Sequence, residues 1–254
     1  MLYRCGLCSK DFEVPGPGNY YCPHCKGAVN IPGASAGLDW ERRKEIGWVK
    51  AFWQTVKASL SDPGRFFDSV SPQGGYESPI LYGMACLCIG ILFSTLYQTL
   101  FQSFGFLLRI LMHQRTEEVA LGAGVYLTIM VAVLITSPIA AFIQLFFHSA
   151  IYHLFVMLFG GNKRGYEATF RAFAYSQGPQ LFQVIPFLGS LVAIVWFYIL
   201  LIQGFKKLQG CSTGQAVAAA FVPLLLICAL AALLIFGIIA LVVGILSSAH
   251  HGAI

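Results

Sequence analysis

Four cysteines near the amino terminus have the spacing of a metal site. Cys5 and Cys8 form one C-x2-C pair, and Cys22 and Cys25 form a second pair after 13 intervening residues. Two such pairs on tight turns can place four thiolates tetrahedrally around one Zn²⁺. The sequence therefore predicts a structural zinc site in a small β zinc ribbon over residues 1–32, which is too small to fold without metal. Four protein ligands leave no open position for catalysis.

The spacing alone leaves other uses of these cysteines open. A rubredoxin-like iron centre uses the same four ligands, and two disulfides would also pair them, although a reducing compartment disfavours disulfides. His24 lies between the second pair and could replace a ligand, but we expect it to be exposed on the turn. Residues 1–32 carry three basic and two acidic side chains, and four thiolates on Zn²⁺ add a net charge of −2. We therefore expect no nucleic-acid binding.

Hydrophobicity assigns most of the chain to a membrane. Of 254 residues, 57% are hydrophobic and only 11% are charged, and the mean hydropathy is +0.71. These values exclude a water-soluble single domain and a disordered chain. Four stretches contain no Asp, Glu, Lys or Arg, and each exceeds the roughly 20 residues that a transmembrane helix needs. They are residues 78–108, 119–162, 172–205 and 208–254.

The positions of Lys and Arg predict how often the chain crosses the membrane, because these residues mark cytoplasmic loops. If the basic residues of 163–171 and 206–207 are both cytoplasmic, the stretch between them crosses twice. It would form a hairpin that turns near Gly178, Pro179 and Pro186. The short first arm would let Arg171 reach the interface. The second stretch reads as one long helix bent near Pro138, and residues 79–102 and 216–246 cross once each.

These crossings define the expected fold. It is an all-α polytopic membrane bundle of about five transmembrane helices, with four or six remaining open. Five crossings place the N-terminus in the cytoplasm and the C-terminus outside. The expected location is the cytoplasmic membrane, and all Lys and Arg residues except Arg109 and Arg115 would then be cytoplasmic.

Residues 33–60 are expected to be a linker followed by an amphipathic juxtamembrane helix. From Asp39, a plausible N-cap, to Leu60, apolar residues recur at helical spacing, and three cations run along the edge of that face. The apolar residues are Ile46, Val49, Phe52, Trp53, Val56 and Leu60, and the cations are Arg43, Lys50 and Lys57. This pattern is typical of a helix lying in the cytoplasmic interface. The alternative is a soluble helix packed on the ribbon or on a partner subunit.

Short motifs follow one another in a defined order across residues 61–254. They are Pro63-Gly-Arg-Phe-Phe67, Gly160-Gly161, Tyr166, Ala174-Tyr175-Ser176, Pro179, Ile185-Pro186, Trp196, Gly204, Thr213-Gly214-Gln215-Ala216 and Pro223. In these motifs the chain resembles the Yip domain family of integral membrane proteins. The resemblance implies a five-span bundle with a cytoplasmic N-terminus.

One family motif is missing. Eukaryotic members carry an Asp-Leu-Tyr signature linked to trafficking, and the nearest piece here is Leu81-Tyr82-Gly83. Binding to Rab GTPases is therefore not carried over to this chain. A zinc ribbon in front of the bundle is more similar to the prokaryotic branch of the family.

The sequence contains no serine-hydrolase, zinc-protease or phosphate-loop motif, so we do not expect an enzyme. We predict a membrane adaptor that contacts the lipid bilayer, displays the zinc ribbon to protein partners, and can shape the membrane or form homo-oligomers. The alternative is a small-solute transporter or channel. It would use a groove lined by His148, Tyr175, Gln177, Gln180 and Gln183.

Overall fold

The computed structural model describes residues 2–4, 8, 10–13, 18–31, 37–112 and 116–251. The chain divides into two compact units, Met1–Ser71 and Pro72–Ile254. The finer boundaries expected at residues 32 and 60 stay predictions.

The first unit begins with two short antiparallel hairpins. Strand β1 (Leu2–Arg4) pairs with β2 (Asp11–Glu13), and β3 (Gly18–Tyr21) pairs with β4 (Ala28–Ile31). The turn between β3 and β4 is closed by two hydrogen bonds, in which Lys26 N donates to Cys22 O and Cys22 N donates to Gly27 O. Cys22 and Cys25 lie between β3 and β4, and Cys8 lies between β1 and β2.

Three helices complete the first unit: α1 (Arg43–Ile46), α2 (Trp48–Ser61) and α3 (Pro63–Asp68). The expectation of one helix from Asp39 to Leu60 is wrong, because the helix is interrupted at Gly47. This residue has φ +92°, in the region that glycine adopts readily and other residues avoid. Asp39 lies in a turn, and the residue preceding α2 is Gly47.

Of the predicted apolar stripe, only Val56 belongs to the buried face of α2. The buried face consists of Ala51, Thr55, Val56 and Ser59, and the Thr55 hydroxyl accepts a hydrogen bond from Trp40 N at 3.0 Å. Small and polar side chains therefore make most of the packing of α2. Most of the predicted apolar stripe is not buried in this unit, as Trp53 shows with 57% of its surface exposed.

Arg43, expected at the edge of the apolar stripe, lies inside the first unit. Its guanidinium sits 5.2 Å from the ring centre of Trp40 and 5.1 Å from that of Trp48. It also donates to Trp40 O at 3.2 Å. A cation between two indole rings is stabilised by both ring faces, which helical periodicity does not reveal.

The second unit is helical. Its elements are α4 (Glu77–Leu111), α5 (Thr116–Leu158), α6 (Gly165–Tyr175), a 3₁₀ helix (Gly178–Val184), α7 (Gly189–Gly204) with a π-helical turn (Phe205–Gln209), and α8 (Thr213–His251). Four helices among the described residues are long and apolar enough to span a membrane: Glu77–Leu111, Val119–Leu158, Gly189–Gln209 and Thr213–Val242.

Four of the five predicted crossings are continuous helices. The second charge-free stretch forms the single helix α5 with Pro138 inside it, and residues 216–246 lie within the single helix α8, both as predicted. The first arm of the predicted hairpin is instead interrupted between α6 and the 3₁₀ helix. We call residues 165–184 the broken segment.

The broken segment runs alongside α4. At its beginning, Glu167 Oε1 accepts from Gly74 N and Gly75 N. At its end, the Tyr97 hydroxyl donates to Val184 O. From Glu77 to Tyr97, α4 rises about 30 Å at 1.5 Å per residue, which equals the thickness of a hydrocarbon core.

The helix α7 returns to the start of the broken segment, where Gln209 contacts Thr169. We call this the basic end of the bundle, since residues 163–164 and 206–207 lie there. The opposite end, with Leu111 and residues 185–188, is the far end. Buried large side chains concentrate toward the basic end, and they include Leu145, Tyr175, Leu200, Phe205 and Leu208. Toward the far end, helices expose apolar side chains such as Leu111, Ile129, Leu191 and Leu233.

Candidate functional site

The first candidate site is the cysteine cluster, formed by Cys8, Cys22 and Cys25. Their three sulfurs lie within 4.8 Å of one another, and the Sγ atoms of Cys8 and Cys22 are 3.7 Å apart. This distance is far longer than the roughly 2.05 Å of a disulfide bond. The two hairpin turns thus bring together cysteines that are 14 positions apart in sequence.

The cluster fits a tetrahedral metal. Two sulfurs bound to one zinc at about 2.3 Å are separated by roughly 3.8 Å in tetrahedral geometry, close to the distance between Cys8 and Cys22. The fourth predicted ligand, Cys5, lies outside the described residues. His24 is exposed on the turn, as expected. Cys22 is buried while Cys25 is exposed, so this group of thiols lies at the surface of the first unit.

The second candidate site lies at the basic end. The Lys163 ammonium donates to Gly210 O at 2.7 Å, and the Arg164 guanidinium donates to Lys207 O at 3.1 Å. The two basic clusters that were assumed to share one side of the membrane are therefore in direct contact. These bonds also satisfy carbonyl groups at the end of the π-helical turn, where Gly210 has φ +72°.

The side-chain amide of Gln209 connects several segments at the basic end. Gln209 Oε1 accepts from Lys163 N at 3.2 Å and from Arg164 N at 3.0 Å, while its Nε2 donates to Gly165 O at 2.6 Å and to Thr169 Oγ1 at 2.7 Å. The Gln209 side chain is fully buried. We call these five residues the Gln209 network. It attaches the end of α7 to the turn before α6 and to α6 itself.

Two side-chain pairs continue from this network to α5. His153 Nδ1 lies 2.8 Å from Thr169 Oγ1, and the Tyr166 hydroxyl lies 2.8 Å from Ser149 Oγ. His148 stacks on Phe173 with nearly parallel rings. The two intramembrane histidines are thus contacts between α5 and α6, rather than members of a separate titratable cluster.

Two charged residues of α6 hold the segment that precedes α4. Glu167 accepts two backbone hydrogen bonds, from Gly74 at 2.8 Å and Gly75 at 2.7 Å, and the Arg171 guanidinium donates to Gly75 O at 2.9 Å. Arg171 is fully buried and lies 5.7 Å from the Tyr175 ring centre. The expectation that Arg171 reaches the lipid interface is therefore wrong. Its side chain points back toward the N-terminal end of α6, as helical side chains do, but it ends against protein.

The same charges affect Tyr76 at the start of α4. Burial is the main cause that raises the pKa of the Tyr76 hydroxyl, and the neighbouring Glu167 carboxylate and Tyr166 raise it further. Burial likewise raises the pKa of the Cys211 thiol, and nearby Lys163 only partly offsets this effect. Both groups are therefore neutral at physiological pH.

A polar cavity of about 340 Å³ lies between α4, α5 and the 3₁₀ helix. Its polar lining residues are Ser94, Thr95, Gln98, Gln144, Gln180 and Gln183. Of the groove predicted for a transporter, only Gln180 and Gln183 line this cavity. Gln177 instead donates to Phe173 O within its own segment, and Tyr175 is fully buried.

Comparison with known protein families identifies the membrane unit. The Yip1 domain matches residues 57–236. The chain belongs to the Yip1 domain family. No curated protein and no solved structure matches the chain.

Two of the Yip1 family motifs noted in the sequence, Gly160-Gly161 and Thr213-Gly214-Gln215-Ala216, meet at the basic end. Gly160 has φ +69°, and a Cβ atom added to Gly161 would lie 2.6 Å from Cys211 Sγ, so both positions of this pair require glycine. The Gln215 amide donates to Phe159 O at 2.9 Å. The turn after α5 therefore packs against the turn before α8, which brings together two motifs separated by about 50 residues in sequence.

Sequence reasoning missed Gln209, Glu167 and Arg171 as organising residues of the Yip1 domain. Glu167 and Arg171 are four residues apart, so they share one face of α6, and that spacing was visible. Gln209 directly precedes Gly210, a residue type common after helix ends. A polar amide at such an end is well placed to bind the backbone of a neighbouring turn.

Proposed function

We propose that this Yip1-family protein is a non-enzymatic membrane adaptor of the prokaryotic-type branch. Residues 1–32 of its first unit would be a zinc ribbon, held by Cys5, Cys8, Cys22 and Cys25, that binds protein partners on the cytoplasmic side. The convergence of Cys8, Cys22 and Cys25 at tetrahedral spacing carries this proposal. Zn²⁺ would supply the folding energy of this ribbon, which is too small to fold without metal. Iron in the same ligands is the alternative metal.

An exposed aromatic side chain next to the cluster supports a role in recognition. Tyr21, the last residue of β3, exposes 77% of its surface. Tyrosine is among the residues that most often dominate protein interfaces. Its position directly before Cys22 attaches it to a backbone that the metal would hold rigid.

The adaptor proposal is tested by Tyr21→Ala in the full-length protein purified from native membranes. We expect the variant to keep about one zinc per chain and to lose proteins that co-purify with the unchanged protein. Replacing Cys5 and Cys22 with Ser should remove both the zinc and the partners, while the bundle stays in the membrane. If neither change alters the co-purifying proteins, the adaptor proposal is wrong.

We propose that the broken segment is a fifth, discontinuous crossing. Four continuous spans alone would return the C-terminus to the side of the N-terminus. The contacts from Gly75 to Tyr97 of α4 support a passage of about 30 Å by residues 165–184. Eleven α-helical and seven 3₁₀ residues rise about 30 Å in total at 1.5 and 2.0 Å per residue.

Reporter fusions test this topology. A phosphatase reporter after Ile254 should be active outside the cytoplasm, and the same reporter in the turn at residues 160–163 should be inactive. A cytoplasmic C-terminus together with a cytoplasmic 160–163 turn would show an even number of crossings. The broken segment would then not cross the membrane.

A transporter remains the second candidate, and the polar cavity favours it. Glutamines from α5 and from the 3₁₀ helix, Gln144, Gln180 and Gln183, line this cavity within the span-capable region. Flux of glycerol or urea into proteoliposomes, compared between the unchanged protein and Gln144→Leu, tests this function. Flux that depends on Gln144 would favour transport over the adaptor proposal.

A further inference from the structure

A second cavity adjoins the polar one. It measures about 690 Å³ and lies between α4, α5 and the turn at residues 185–188, with Tyr97, Phe101, Phe104, Tyr126 and Phe187 among its walls. Gln98 lines both cavities. Both volumes fall within the roughly 300–1,000 Å³ that is usual for ligand pockets. The far half of the bundle therefore holds a polar compartment and an apolar compartment side by side.

The linings define the chemistry of an occupant. None of the described residues that line either cavity carries a charge. The polar compartment offers amide and hydroxyl groups that can both donate and accept hydrogen bonds. An anionic head group would find no cation here, and burying an unpaired charge at membrane depth is costly. The lining therefore fits an uncharged hydrogen-bonding head next to a hydrocarbon body.

A buried hydroxyl provides an independent indication of a ligand. Tyr126 lines the apolar compartment, and its hydroxyl oxygen is buried without a hydrogen-bond partner among the described residues. By contrast, the Tyr97 hydroxyl on the same wall donates to Val184 O. Buried polar groups are nearly always hydrogen-bonded, and the Tyr126 hydroxyl is placed to bond to a molecule that enters the cavity.

We propose that these two compartments bind one membrane lipid with an uncharged, hydroxyl-bearing head group, of the diacylglycerol type. The head lies among Gln98, Gln144, Gln180 and Gln183, and an acyl chain lies against Phe101, Phe104 and Phe187. The Tyr126 hydroxyl bonds to an ester or hydroxyl oxygen of the lipid. The lipid enters from the bilayer, since both compartments lie between span-capable helices.

Photolabelling in lipid nanodiscs tests this site with the full-length protein. The probe is a diazirine-bearing diacylglycerol, and the comparison probe is phosphatidic acid with the same chains. We expect the diacylglycerol to label peptides around Gln98 and Tyr126 several-fold more than peptides from 225–242 of α8. That stretch is exposed at every position and reports general lipid contact. Phosphatidic acid should show no such preference.

Tyr126→Phe separates binding from folding. Removal of a hydroxyl that has no partner in the empty protein should not lower the thermal midpoint. Loss of one hydrogen bond to the lipid should weaken labelling about fivefold to tenfold. Thr136→Val on the same helix is the control, because the Thr136 hydroxyl bonds to Ala132 O and lines neither cavity.

Three results would overturn the proposal. The first is unchanged labelling in Tyr126→Phe at an unchanged thermal midpoint. The second is equal labelling of α4, α5 and residues 225–242, which would show general lipid contact only. The third is glycerol flux that falls in Gln144→Leu, which would make the cavity a solute path. A failure of the adaptor test at Tyr21 would leave this lipid site untouched.

Discussion

Replacement of Gln209 by Leu should loosen the basic end of the bundle. The substitution keeps the size of the side chain similar and removes its four hydrogen bonds. The backbone N–H groups of Lys163 and Arg164 and the carbonyl of Gly165 then lose their partner. Thr169 Oγ1 loses one of its hydrogen bonds. The end of α7 would lose this attachment to the turn before α6 and keep the bonds of the Lys163 and Arg164 side chains to Gly210 O and Lys207 O.

The structure allows the size of this effect to be worked out. A buried polar group left without a partner costs about 1–3 kcal/mol, and a bond that water can replace costs about 0.5–1.5 kcal/mol. Lys163 and Arg164 are exposed, so water can reach their N–H groups, while Thr169 is fully buried and keeps His153 as a partner. The sum is about 2–5 kcal/mol of lost stability at this end.

The rate at which the buried thiol of Cys211 is alkylated measures this effect. The Cys211 sulfur donates to Gly161 O beside the Gln209 network, and burial raises its pKa, so it should alkylate slowly until this region opens. Alkylation of the Cys211 peptide is measured by mass spectrometry in a mild detergent. A loss of 2 kcal/mol raises the open population roughly 30-fold, and the alkylation rate should rise with it.

Gln203→Leu is the matched control, since it changes the same residue type in the same helix and touches none of the network bonds. We expect it to change the Cys211 alkylation rate less than threefold. If Gln209→Leu and Gln203→Leu alter the rate equally, the Gln209 network does not hold the basic end together.

Two further substitutions follow from local contacts. Gly189→Ala should strongly lower the thermal midpoint of the bundle, because an added Cβ would lie against Phe182 O. Gly105→Ala is the control: its Cβ would meet nothing within 4 Å, so the thermal midpoint should stay unchanged or rise slightly. If α2 lies in the membrane interface, lipids brominated near the head group should quench the fluorescence of Trp53, which is exposed, and not that of Trp40, which is buried. The contribution of each tryptophan is measured as the fluorescence lost in Trp53→Phe or in Trp40→Phe. Equal quenching of both would contradict an interfacial α2.

The membrane helices could be predicted because few constraints determine them. A spanning segment must satisfy its own backbone hydrogen bonds and avoid charge, so length and hydrophobicity suffice. The helices α5 and α8 follow this rule despite Pro138 and Pro223. The family motifs also indicated the Yip1 domain that matches residues 57–236.

The broken segment could be predicted only in part. The turn of the hairpin was predicted near Gly178, Pro179 and Pro186. The chain does reverse at residues 185–188, which include Pro186, but Pro179 lies in the first turn of the 3₁₀ helix, where its missing N–H costs nothing. Local composition does not distinguish these outcomes, because packing against Gly90 and Tyr97 of α4 decides between them.

The buried charged groups were not predictable from pattern. Arg43 and Arg171 looked like edge or interface cations, since charged residues are almost never fully buried unless they are paired. Each is buried because a carbonyl and an aromatic ring approach its guanidinium. The carbonyl that binds Arg171 belongs to Gly75, 96 positions away, and such a partner becomes a neighbour only after the fold has formed.

The two ends of the membrane unit therefore suit different tasks. At the basic end, Gln209, Glu167 and Arg171 tie α6 to α7 and to residues 74–75, so the chain enters the bundle at its most tightly bonded point. At the far end, α4 and α5 leave cavities that expose hydrogen-bonding groups and aromatic rings. The proposed lipid site therefore does not depend on the bonds at the basic end. Gln209→Leu should raise the alkylation rate of Cys211 and leave diacylglycerol labelling around Tyr126 unchanged.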